Sequence, residues 1–185
     1  MSERMAETRG PERFNETHRA GLDARRADQD RTLAAMHELE AALGAAAPRR
    51  EPQWHMEVLS ALTVLEDATA EEARNAERPD SLLSDIARNQ PRLRNRVRGV
   101  RTQYRQLRET TSSLRHEVAE NDPSAMDFAD LRQRLAWVTT ALRHQRARES
   151  DLIYEAYYDA FRADLRQPGP EGGEEGPTTG RKPSG

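Results

Sequence analysis

The sequence predicts an all-α fold, an antiparallel up-down-up-down four-helix bundle, and three observations carry that prediction. Charged residues make up 33% of the 185 residues and aromatics only 5%, a composition rich in the helix formers Ala, Arg, Glu and Leu and poor in strand formers. Apolar residues recur at heptad spacing, most clearly in Leu93, Val97, Val100, Tyr104, Leu107, Thr111, Leu114 and Val118, and again in Leu131, Leu135, Val138, Leu142, Gln145, Glu149, Leu152 and Ala156. Prolines mark the breaks between these periodic segments, and no run of period-2 alternation competes with them.

The first helix is expected over residues 16–43, with Leu22, Leu33, Met36, Leu39 and Leu43 on its apolar side, stopping at Gly44 before Pro48. The second spans 52–76 and carries Trp54, Val58, Leu62, Leu65, Thr69 and Glu72 as its stripe. The third spans 81–120, opening after Pro79-Asp80 with Leu82, Leu83 and Ile86, and is broken near Pro91, whose ring removes an N–H and disfavours helical geometry at Gln90. The fourth spans 123–166, capped by Asp122 with Pro123 at its first position, and runs through Phe128 and Trp137. Residues 1–15 and 167–185 are polar and punctuated by Gly and Pro, so both are expected to be disordered tails around one domain at 16–166.

Composition also excludes. Cysteine is absent, which removes disulfides, thiolate metal sites and cysteine nucleophiles and fits a reducing compartment. A formal net charge of −3 gives no basic excess to draw the whole molecule onto nucleic acid or an anionic membrane. No apolar run approaches the roughly 20 residues of a membrane span, and no signal-like segment opens the chain. A cytoplasmic protein is expected. No nucleophile–base spacing, Gly-rich phosphate loop or His-x-x-x-His sequence occurs, so the reading favours a non-enzymatic role.

The ladders turn polar partway along. If the third and fourth helices pack antiparallel across the Asn121-Asp122-Pro123 turn, Tyr104 and Gln145 meet in one buried layer, with Glu149 a turn away. Counting back from the 44–51 turn sets Glu72 opposite the stretch from Asp23 to Asp30. The expected polar core layer is therefore Asp28, Asp30, Glu72, Tyr104, Gln145 and Glu149, bonded to one another and to arginines such as Arg26 or Arg146.

The segment from Leu142 to Tyr157, LRHQRARESDLIYEAY, and the phrase Pro79-Asp80-Ser81-Leu82-Leu83-Ser84-Asp85-Ile86 followed by Pro91-Arg92-Leu93 resemble, respectively, the last helix of bacterial hemerythrin-like (HHE cation-binding) proteins and their link into the third helix. The resemblance covers roughly residues 16–165 in element order. It implies a hemerythrin-like four-helix bundle with a non-haem di-iron site held by histidines and carboxylates. Where the family's histidines are expected on the third and fourth helices this chain has Tyr104 and Gln145, and near the second-helix position it has Glu72.

The implied ligand set is lost. His18, His37, His55, His116 and His144 do not restore it, since no two share an i,i+3 or i,i+4 spacing, and each is expected to be exposed or at a boundary. The resulting expectation is a binding or structural module without cofactor. An alternative keeps iron in a carboxylate-rich site that reacts with or senses oxygen or peroxide, with Glu72, Tyr104, Gln145 and Glu149 as candidate ligands beside one of Asp23, Asp28 or Asp30.

Two surface features complete the reading. Arg94, Arg98, Arg101, Arg105 and Arg108 form one outward stripe on the third helix, a candidate anion-binding face for an acidic partner. Nucleic acid is disfavoured, because exposed aromatics and glycine-containing loops are missing beside the stripe. Tyr154, Tyr157, Tyr158 and Phe161 form an aromatic cluster, read as packing or as a homodimer surface.

Overall fold

The computed structural model describes residues 16–45 and 49–165. The two expected tails, 1–15 and 167–185, lie outside the described residues. Four long helices carry the fold: α1 (Glu16–Gly44), α2 (Glu51–Glu77), α4 (Arg94–Glu120) and α5 (Phe128–Leu165), with the short α3 (Leu82–Asn89) between α2 and α4. Among the described residues there is no strand, and no helix is long and apolar enough to cross a membrane.

Local chemistry sets the boundaries. Ser81 caps α3 by accepting from the Ser84 amide, and Gln90, the residue before Pro91, leaves helical geometry at φ −125°, ψ 84°. A 3₁₀ turn, Pro91–Leu93, then feeds straight into α4, so the third predicted helix is two helices with a proline joint. The fourth starts later than expected. Asp122 caps only a 3₁₀ turn, Pro123–Ala125, through the Ser124 amide, whereas Asp127 accepts from the amides of Ala129 and Asp130 at 2.9 and 3.1 Å and so caps α5.

Bonds between neighbouring helices give their directions. Asp28 meets Asn75 and Thr32 meets Glu72; His55 meets the Val118 carbonyl and Arg105 meets Glu77. Arg134 meets Glu117 and Arg148 meets Gln103; Arg25 meets Glu149 and Arg132 meets the Ala45 carbonyl. In each pair, partner numbers fall as the other helix's numbers rise. The pairs α1–α2, α2–α4, α4–α5 and α5–α1 are therefore antiparallel and close into a ring.

The core is in two parts. At the end bounded by the turns after α1 and α4, Met36, Leu39, Trp54, Val58, Leu62, Leu65, Leu114, Val118, Leu135 and Val138 are buried together. Trp54 packs edge-on against Phe128 at 5.0 Å and under the Arg132 guanidinium. At the other end α3 lies against all four long helices, and Leu82, Leu83, Ile86, Leu93, Val97, Leu152 and Tyr157 form a smaller cluster. Each fully buried aliphatic side chain contributes about 1.5–3 kcal/mol. Between the two clusters the heptad positions of the long helices turn polar.

Candidate functional site: a charged layer in the core

On α1 the core-facing residues are His18, Arg25, Asp28, Thr32, Ala35, Met36 and Leu39, a heptad stripe with charge in its middle. Arg25 sits at the centre of the layer. Its Nε donates to Glu149 Oε1 at 2.6 Å, and one terminal nitrogen donates to Glu149 Oε2 and to Glu72 Oε1, both at 2.8 Å. The same nitrogen donates to the Tyr104 hydroxyl, and the other terminal nitrogen stands 3.5 Å from Asp28 Oδ2. This is a bidentate clamp on Glu149 from α5, extended to α2 and α4.

The carboxylates are otherwise satisfied. Tyr104 donates to Glu149 Oε2 at 2.6 Å and Gln29 donates to the same oxygen at 3.0 Å, while Thr32 donates to Glu72 Oε2 at 2.7 Å. All four oxygens of Glu72 and Glu149 thus have a partner. Asp28 accepts from Asn75 and from the half-exposed Arg31.

Three buried carboxylates facing Arg25 and Arg31 leave one negative charge in surplus. Burial pushes the Glu72 carboxyl above its ordinary range, opposed by the nearby Arg25 charge and the Thr32 hydrogen bond. Burial alone would lower the Arg25 pKa, but Glu149, with Tyr104 and Glu72, outweighs it and holds the guanidinium charged. Burial and the two glutamates likewise push Tyr104 well above the usual phenol range, so it stays a donor. A cavity of 290 Å³ between α1, α2 and α3 reaches Arg25 and Asp28 from the side of Asn75 and Leu82.

Of the residues expected in the layer, Asp28, Glu72, Tyr104, Gln145 and Glu149 are buried. Asp30 is not: two residues beyond Asp28 on a helix it points about 200° away, into solvent. Asp23 is exposed too and pairs with the exposed Arg26. The cation expected from Arg26 or Arg146 is Arg25 instead. Tyr104 meets Glu149 rather than Gln145, whose amide nitrogen donates to the Val100 carbonyl at 3.0 Å and whose buried oxygen lacks a partner.

Two histidines also differ from expectation. His18 is buried against Tyr157 and stands 3.3 Å from Asp85, which also accepts from the Tyr157 hydroxyl at 2.7 Å, and His55 is buried on the Val118 carbonyl. Among the described residues, no group of three or more His, Cys, Asp or Glu is arranged to hold a metal ion.

The arginine stripe is not one outward line. Arg101 turns into the seam between α2 and α3, donating to the Ala76 carbonyl at 3.1 Å and to Ser84 at 2.6 Å; Arg105 pairs with Glu77, and Arg94 donates to the Ala87 carbonyl. Arg98 and Arg108 are exposed. The aromatic cluster divides as well. Tyr157 is buried, Tyr154 and Tyr158 are exposed, and the Phe161 side chain lies outside the described residues. Comparison with protein-family models, with curated proteins and with solved structures finds no match for this chain.

Proposed function

We propose that the chain is a hemerythrin-like up-down-up-down bundle whose metal site has been replaced by an internal cation, and that it serves as a binding or structural module. One observation carries this reading: the Arg25 guanidinium lies within 2.8 Å of both Glu72 and Glu149, the carboxylates a di-iron site would need. Each of those oxygens already has a partner, and a divalent ion placed among them would face a fixed positive charge at contact distance. The donor set does not fit iron while Arg25 stays in place. An oxygen- or peroxide-reactive metal centre would need Arg25 to swing out and leave its buried partners. The acidic-partner reading has less support, since three of the five stripe arginines are engaged within the molecule.

Iron analysis of protein purified from iron-supplemented cells tests the proposal. The expected result is no stoichiometric iron. Roughly two irons per chain, as in carboxylate di-iron bundles, would overturn it.

A further inference from the structure

One outer face of α5 carries exposed aromatic residues at both ends of a line of heptad positions. Trp137, Thr140, His144, Ala147, Asp151, Tyr154 and Tyr158 all point to solvent. Trp137 is 59% exposed and Tyr154 58%, large values for side chains that carry so much apolar surface. Tyr154 and Tyr158 stack edge to face at 5.3 Å, with the Arg162 guanidinium over Tyr158. At the other end, a groove of 640 Å³ runs between α4 and α5 beside Trp137, floored by Leu114 and rimmed by Gln106, Thr110, Gln133 and Arg134.

We infer that this face pairs with the same face of a second copy, antiparallel about a two-fold axis at Ala147. The stripe is self-complementary when reversed. With the axis at Ala147, His144 stands opposite the partner's Asp151, and Trp137 stands opposite the partner's Tyr158, with its Tyr154 within a turn. The small side chain on the axis lets two helices close to the usual 8–10 Å. The Tyr158–Arg162 pair then lies over the groove beside the partner's Trp137, whose lining includes the acids Glu109 and Asp130. An isologous interface requires this reciprocity of every contact.

A second copy also suits the charges. The stripe holds one acid, Asp151, and one histidine, and these meet their complements only under reversal. The arginines beside it are turned away: Arg143 is tied to Glu40 and Arg148 to Gln103. From Trp137 to Tyr158 the seam is about 30 Å long at ~1.5 Å per residue, with aromatic anchors at both ends. The Arg25 layer takes no part in this interface.

Sedimentation velocity on the full chain tests the pairing. The wild type is expected at twice the chain mass at about 100 μM, where a dimer of micromolar Kd is saturated, and to dissociate on dilution. Ala147→Arg places bulk and like charges on the axis and is expected to weaken association at least about tenfold, with helical circular dichroism unchanged. His144→Asp, which sets two acids face to face, is expected to weaken it, and His144→Asp with Asp151→His to restore it. Dimerisation should also shield Trp137 from acrylamide, since the other tryptophan, Trp54, is buried already. A chain monomeric at every concentration overturns the inference, whether Trp137 is then open to quencher or covered by the chain's own termini. So does a dimer indifferent to Ala147→Arg, or one the double exchange fails to restore.

Discussion

Two regions of the core, the hydrocarbon cluster around Trp54 and the charged layer between the two clusters, are built on the same heptad ladders and held in opposite ways. Around Trp54, Leu62 and Leu135 the interior is hydrocarbon, and its stability comes from area removed from water, a force that tolerates small changes of register and shape. Around Arg25 the interior is ionic. Its groups gain nothing unless every partner is in place, because an uncompensated buried charge costs more than a buried methyl gains. The hydrocarbon cluster drives collapse; the charged layer makes the outcome conditional on four helices meeting at a single register.

Substitutions can sharpen that contrast. Arg25→Met keeps most of the side-chain volume yet strands Glu72 and Glu149, so urea unfolding is expected to show a loss of about 3–5 kcal/mol. Leu135→Ala, in the hydrocarbon cluster, is expected to lose about 3 kcal/mol through lost transfer energy and a cavity. If Arg25→Met cost no more than a neutral surface change, the contrast between the two regions would collapse.

The charged layer should also respond to pH in its own direction. Glu72 holds its proton above the ordinary 4.5, so over the window from there to its raised value the native state binds more protons than the unfolded chain. Its contribution is complete below that ordinary value and is lost as pH rises through the raised one. Glu117, held low mainly by its hydrogen bonds from Arg134, works the other way and is lost as pH falls. Above the ordinary 4.5, urea midpoints should therefore decline less with rising pH in Glu72→Gln than in the wild type, and identical slopes would contradict the assignment. The smallest expected effect lies outside both regions. Arg134→Ala removes a two-nitrogen clamp on Glu117, but the pair is well exposed and the loss should stay under about 1 kcal/mol.

Much of this architecture was legible in the sequence because heptad spacing and prolines act locally. The ladders of α4 and α5 are buried at every position named from them, and the break at Pro91 falls where the missing N–H puts it. The centre of the layer was harder to see. Arg25 stands in an arginine-rich segment beside Arg26, and only extending the ladder backwards from Leu39 through Met36, Thr32 and Asp28 selects it by phase. Asp30 failed for the same reason of phase. Pro123 is a strong start signal and points to Asp122 as the cap of the fourth helix, yet the proline opens a 3₁₀ turn and Asp127 caps α5. The buried places of His18 and His55 depend on Asp85 and on the Val118 carbonyl, partners far along the chain that no local pattern announces.

The central claim is that Arg25 closes the layer as the counter-ion of Glu72 and Glu149. The most direct test compares the unfolding free energies of Arg25→Met with those of the triple variant Arg25→Met, Glu72→Gln, Glu149→Gln. Neutralising the stranded carboxylates should return most of the lost stability, a coupling of roughly 2–3 kcal/mol. Losses that simply add, with the triple variant less stable than the single one, would show that Arg25 is not their counter-ion.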